Sequence, residues 1–137
     1  MKCYFGEEEK PFARIYEPYT CCDAQIEVYD KDDKKNFTVN GTCCQPGLCC
    51  CCGGGVYGGM SQSHFGIFNK EKTDFDEKNC DGKITKKGRG INALFSDADT
   101  FEIGFPADSS VEDKLSLIAT TLLLDYMFFE DGGAYGR

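Results

Sequence analysis

The sequence predicts a mainly β chain: an antiparallel sheet followed by one hydrophobic C-terminal helix packed inside it. Three observations carry this. Short runs alternate between apolar and polar residues, as in Phe101, Ile103 and Phe105 against Glu102 and Gly104, and a period of two marks a half-buried strand. Clusters of Asp, Lys, Asn and Gly separate the runs at hairpin spacing. Finally, Leu115 to Phe129 is apolar on nearly every helical face, and such a helix must be hidden in protein or in lipid.

The elements follow in order. Residues 1–10 read as a polar arm containing Gly6-Glu-Glu-Glu-Lys10, and strands are predicted between 11 and 106. Phe12 to Tyr16 is the first, stopped by Pro18. Ala24 to Asp30 alternates at Ile26 and Val28, and a turn from Asp30 to Lys34 leads into Asn36–Gly41, which makes a hairpin. A Cys/Gly-rich insertion, 43–59, interrupts the sheet. His64 to Asn69 and Gly82 to Lys86 form a second hairpin around the charged segment 70–81, Asn92 to Phe95 reads as a short helical turn, and Thr100 to Phe105 is the last strand.

A helix is then predicted over 109–131. Ser109 stands three residues before Glu112, the spacing of a capping box, and Gly132 and Gly133 end it. Its packing residues are Leu115, Ile118, Leu122, Leu123, Tyr126 and Phe129. From Leu115 to Phe129 the helix would reach about 22 Å, short of the ~30 Å hydrocarbon core. Asp125 within it would cost a few kcal/mol in lipid. Burial inside the strands is the expected outcome.

Whole-chain composition narrows the class. With 137 residues the chain is one domain's worth, and 41 % hydrophobic with 28 % charged residues is too polar for a polytopic membrane protein. A net charge of −8 disfavours nucleic acid and anionic lipid as partners of the whole surface. The acidic start carries no apolar run of the signal-peptide kind. Ten cysteines fall mostly as neighbours (Cys21-Cys22, Cys43-Cys44, Cys49 to Cys52). Adjacent cysteines seldom bridge one another, so reduced thiols and an intracellular, not secreted, location are expected.

Several of these residues carry a family resemblance. Gly82-Lys-Ile-Thr-Lys86, Phe95-Ser-Asp-Ala-Asp-Thr-Phe-Glu-Ile-Gly-Phe-Pro106, Asp108 and Leu124-Asp-Tyr-Met-Phe-Phe-Glu130 resemble the C-terminal half of phospholipid scramblases, with order and spacing held from about Lys10 to Glu130. The resemblance implies a partial scramblase domain over 1–137, with an incomplete tubby-like antiparallel β-barrel around its hydrophobic helix. The family's proline-rich N-terminal segment and first barrel strands have no counterpart here. Two readings stay open: a truncated product, or a shortened paralogue whose barrel is open or completed by another chain.

The same resemblance implies a calcium loop. Asp97, Asp99, Phe101, Ile103, Phe105 and Asp108 fall in a segment that the family reads as resembling an EF-hand, with aspartates at positions 1, 3 and 12. Oxygen donors suit Ca²⁺, but Phe101 offers only a carbonyl and Glu102 stands where an EF-hand needs glycine. Two readings stay open, a structural strand and a weak Ca²⁺ site. For Cys49, Cys50, Cys51 and Cys52 there are three: unmodified loop, acylation, and a zinc pair with Cys43 and Cys44. Lys83, Lys86, Lys87 and Arg89 form the one basic clump; the segment resembles one linked to nuclear import in the family, and the residues themselves read as a solvated strand end.

No nucleophile, phosphate loop or dinucleotide fingerprint is present, so enzyme chemistry is not expected. By resemblance the chain promotes Ca²⁺-dependent, ATP-independent phospholipid movement between leaflets, associated with a membrane on a reducing face, mitochondrial membranes included. The alternative is a non-catalytic structural or adaptor subunit of a larger assembly. The expected partners are other protein subunits and a phospholipid membrane, and not nucleic acid.

Overall fold

In the computed structural model, residues 1–20, 23–42, 45, 62–69, 77–87 and 100–129 are described. Seven strands form one sheet in sequential order: β1 (Lys2–Cys3), β2 (Ala13–Tyr16), β3 (Asp23–Asp30), β4 (Lys35–Thr42), β5 (Ser63–Asn69), β6 (Gly82–Lys87) and β7 (Thr100–Gly104). Every neighbouring pair is antiparallel. The sheet curls into a half-barrel and one helix, α1 (Val111–Phe128), follows it. This is the mainly β, incomplete tubby-like barrel that the sequence predicts.

Alternation decides which side chains line the inner face. Ile15 on β2, Ala24, Ile26 and Val28 on β3, and Val39 on β4 are buried, and so are Phe65, Ile67 and Ile84 on β5 and β6. They join Leu117 and Leu124 of α1 in one core. Burial of this apolar surface, at about 25 cal/mol per Å², is the main force holding helix to sheet. β5 is buried on its outer side too, where Phe68 lies over Gly66.

Close approach fixes one residue type firmly. A Cβ at Gly41 would collide with the ring of Phe65 on the neighbouring strand. The aromatic ring fills the space that the glycine leaves, a pairing that also pins register.

The β3–β4 turn rests on local hydrogen bonds. The Asp30 carboxylate accepts from the backbone amides of Asp32 and Lys34 at 2.9 and 3.0 Å, and Asp33 takes a left-handed φ of 58°. Asp tolerates that conformation because its short side chain can bond locally. Just beyond the turn the pairing steps from Val28–Phe37 to Tyr29–Lys35, so Asn36 is an extra residue on β4. This is a β-bulge, which re-aims the side chain it carries.

Three boundaries differ from the sequence expectation. The polar arm 1–10 is not wholly outside the sheet: Lys2 and Cys3 pair with Arg14 and Ala13, and Phe5 stacks on Phe12 with centroids 4.2 Å apart. Two residues are too few to show a period, which is why the strand was not legible. The helix spans 111–128, within the predicted 109–131. Its capping box is Ser110 with Asp113, one residue later than Ser109 with Glu112, because the Ser109 hydroxyl instead donates to the Pro106 carbonyl at 2.7 Å. The insertion 43–59, apart from Gln45, and the turn at Asn92–Phe95 lie outside the described residues.

Candidate functional site: the open side of helix α1

Helix α1 carries two apolar seams, and only one meets the sheet. The inner seam is Leu117, Thr120, Thr121 and Leu124, with Ser116 beside it, all buried. Its hydroxyls are satisfied within the helix: Ser116 donates to the Asp113 carbonyl, Thr120 to Ser116 and Thr121 to Leu117, at 2.7–2.9 Å. Such bonding back to the preceding turn lets polar side chains face a core without an orphan donor. The outer seam is Val111, Leu115, Ile118, Leu122 and Tyr126. Val111 is 73 % exposed, Leu122 66 % and Tyr126 65 %.

Of the helix residues expected to be packed, Leu115, Ile118, Leu122 and Tyr126 are therefore exposed, while Leu123 and Phe129 are half-buried against the core. The correction has a plain cause. A seven-stranded open sheet curls round one side of the helix and cannot reach the other. Helix α1, 18 residues and about 27 Å long, is not long and apolar enough to cross a membrane, and neither is any other helix among the described residues.

Each end of the helix is tied to the sheet. At its start the Asp113 carboxylate accepts from the backbone N–H of Ser110 at 2.9 Å, while the Ser110 hydroxyl accepts from the Asp113 N–H at 3.1 Å. The same carboxylate accepts from the side-chain amide of Asn36. At its end the Phe129 ring lies edge-on to Phe65, 6.4 Å between centroids, and beneath the ammonium of Lys86 at 3.9 Å. Lys86 is buried, not part of a solvated strand end. Its parity with Ile84 on β6 could have revealed this, because both face inward. Lys83 and Lys87 are exposed, Lys87 paired with Glu102 at 2.9 Å, and Arg89 lies outside the described residues.

The calcium segment divides between what is described and what is not. Asp97 and Asp99 lie outside the described residues. Phe101 and Ile103 stand in β7, paired with Lys86 and Ile84 and half-buried toward the core, and Phe105 packs there too. Asp108 lies past the far end of β7, in a cleft of about 290 Å³ at the N-terminus of α1 that Asn36, Asn69, Asp81 and Asp113 also line. Thr100 and Gly104 are about 13 Å apart along an extended strand. The residues between them do not fit a loop curled round one ion. Among the described residues no group of three His, Cys, Asp or Glu could hold a metal. The candidate acylation residues Cys49 to Cys52 lie outside the described residues.

A polar network covers the outer face of β2–β4. Lys35 and Tyr29 both donate to the Glu27 carboxylate, at 2.7 and 2.6 Å, and Arg14 stacks 4.0 Å over the Tyr29 ring while bonding Asp33. Burial pushes the Glu27 carboxyl up, but these hydrogen bonds outweigh it and hold the group below its usual value. The bond to Glu27 raises the Tyr29 phenol.

An open antiparallel half-barrel with a hydrophobic C-terminal helix on its inner face is the class of domain these features define. A profile of the Scramblase family matches residues 7–131, from the arm through β7 and α1. The chain belongs to the scramblase family. It is similar to phospholipid scramblase 1 of Homo sapiens, 29 % identical over 125 residues that cover 90 % of this chain and 34 % of that protein. Phospholipid scramblase 4 of Homo sapiens is 28 % identical over 116 residues, 85 % of this chain and 30 % of its own length. The match to phospholipid scramblase 2 of Homo sapiens is tighter but shorter, 44 % over 61 residues, 44 % of this chain and 20 % of that protein. The chain thus spans about a third of human phospholipid scramblase 1. No solved structure matches.

Proposed function

We propose that this chain acts at phospholipid membranes as a scramblase-family module that promotes movement of phospholipids between leaflets. The observation that carries it is the family match over 7–131, which takes in every element from β2 to α1. The relatives are named phospholipid scramblases. Working from the membrane surface suits a helix too short and too mixed to span, and acylation at Cys49 to Cys52 would add the anchor that a net charge of −8 does not supply. No step is routed through Ca²⁺ in this reading, because residues 100–104 of its segment form a paired strand.

The test is reconstitution of the whole chain into phosphatidylcholine–phosphatidylserine vesicles carrying a fluorescent phospholipid. Loss of the inner-leaflet signal to an impermeant quencher, above that of empty vesicles and without leakage of a trapped dye, is the expected result. Quenching that stops at the outer-leaflet half, with protein bound, would overturn the proposal.

A second reading has its own support. A structural or adaptor subunit is favoured by the sheet's two end strands, β1 and β7, each paired on one side only among the described residues, and by the open side of α1. Under that reading the chain binds other protein subunits and leaves lipid distribution unchanged in the same vesicles.

A further inference from the structure

Pairing of β3 with β4 brings together cysteines that the sequence keeps apart. Cys21 and Cys22 immediately precede β3, and Cys43 and Cys44 immediately follow β4, with the whole hairpin between them in sequence. The two strands run antiparallel, and the last pair at this end is Asp23 with Thr42. Opposed residues of such a ladder have Cα atoms about 5 Å apart, and each peptide step adds about 3.8 Å. Cys22 is one step from Asp23 and Cys43 one step from Thr42, so covalent geometry confines both to the open end of the hairpin. The four cysteines lie outside the described residues, and the described chain on either side is what limits them.

A second tie holds the chain just past Cys44. Ladder pairing between β4 and β5 stops at Asn40 with Gly66. The buried Gln45 side chain then docks on β5, its amide nitrogen donating to the His64 carbonyl at 2.6 Å and its oxygen accepting from the His64 backbone N–H. Cys43 and Cys44 are thus bracketed, with Thr42 fixed to β3 on one side and Gln45 fixed to β5 on the other.

Two adjacent thiols on each of two opposed chains make the donor set of a structural zinc site, in which four thiolates surround Zn²⁺ tetrahedrally at about 2.3 Å. Thiolates are soft ligands that select zinc, whereas carboxylates and carbonyls suit calcium and magnesium. We propose that Cys21, Cys22, Cys43 and Cys44 form a zinc site that closes the open end of the β3–β4 hairpin. Sequence spacing offers Cys43 and Cys44 partners only among Cys49 to Cys52; strand register offers a second pair at the hairpin end itself. Reduced thiols, expected for adjacent cysteines, are the form that metal binding requires. Neither reading of function above is assumed.

The metal content of the whole 137-residue chain, purified under reducing conditions, tests this. About one Zn²⁺ per chain is expected, and Co²⁺ in its place should give the absorption of a tetrahedral four-thiolate site. Cys22→Ser and Cys43→Ser should each weaken zinc binding at least about a hundredfold. Cys22→His, which can still ligate, should restore binding and move the cobalt spectrum to that of three sulfurs and one nitrogen. Zinc should slow amide exchange at Asp23 and Thr42, and Cys80→Ser should leave binding unchanged. A folded, reduced chain that takes up no zinc overturns the proposal. So does binding that survives Cys22→Ser, or a cobalt spectrum that Cys22→His leaves unchanged, which decides the matter even if the serine variant does not fold. Zinc lost on replacing Cys49 to Cys52 by serine, and retained in Cys22→Ser, assigns the metal to the later cysteines and overturns it as well.

Discussion

The side-chain amide of Asn36 donates to the carboxylate of Asp113, joining the bulge on β4 to the first turn of α1 across 77 residues of sequence. The bulge aims Asn36 at the helix, while Asp113 caps the helix N-terminus through its own backbone and side chain. One carboxylate therefore holds the β4 bulge and starts the helix. Removing it as Asp113→Ala should cost about 1–2 kcal/mol: a cap is worth roughly 1 kcal/mol, and the Asn36 amide loses its partner. Denaturant unfolding of Asp113→Ala and Asn36→Ala, with the double variant closing the cycle, measures the coupling. Strictly additive losses would mean the two side chains do not act together.

The two seams of α1 should respond to truncation very differently. Leu117 and Leu124 are fully buried, and alanine at either should destabilise by about 2–5 kcal/mol through lost burial and the cavity left behind. Leu122→Ala on the exposed seam should change monomer stability by no more than about 0.5 kcal/mol, and Leu123→Ala should fall between. Urea midpoints give the comparison. Equal losses at Leu122 and Leu124 would contradict the assignment of faces.

Gly41 should not accept a side chain. Gly41→Ala drives a methyl group into the Phe65 ring, and overpacking of this kind costs about 1–3 kcal/mol. Pairing it with Phe65→Leu, which takes away the flat ring, should recover part of that loss. A thermal melt showing Gly41→Ala as stable as the parent would mean the ring moves aside at no cost.

The six longer strands were legible because their signal is arithmetic. Alternation over four to eight residues reports the inner face directly, and Ile26, Val28, Phe65, Ile67 and Ile84 lie where parity puts them. Features of one or two residues were not legible. β1 is two residues long, and the bulge at Asn36 breaks a period without announcing which way the side chain turns. The faces of α1 escaped for a different reason. Leu stands on both seams, and Val111 and Ile118 stand only on the exposed one, so composition does not reveal which seam the sheet covers; the curl of the sheet decides it. Lys86 was readable by parity, but its neighbours Lys83 and Lys87 made it look like part of a solvated clump.

Glu27 gives the fold a pH dependence of definite sign. Its carboxyl is held below the usual value in the folded state by Lys35 and Tyr29, so its ionised form stabilises the fold. That contribution is complete above the unfolded-chain value of about 4.3. It is lost as pH falls through the lower folded value. Glu27→Gln removes this dependence, so stability measured from about pH 6 down to pH 3 should fall less steeply in the variant than in the parent. Parallel curves would place the acid sensitivity elsewhere.

Calcium is the prediction on which the pairing of β7 bears most directly. An EF-hand-like site over 97–108 would need the strand to leave β6, break the Lys86–Phe101 and Ile84–Ile103 pairs and withdraw Phe101, Ile103 and Phe105 from the core. Each apolar side chain pulled into water costs on the order of 1–3 kcal/mol, against a donor set with no glycine at position 6 and aspartate in place of the bidentate glutamate. Any Ca²⁺ bound should therefore be weak, in about the millimolar range of poorly charged loops, and should leave the sheet unchanged. Calorimetric titration should give no saturation at micromolar Ca²⁺, and amide exchange of Phe101 to Ile103 should stay equally slow with and without the ion. Micromolar binding that Asp108→Asn abolishes, with faster exchange along β7, would show that the strand gives way to the ion.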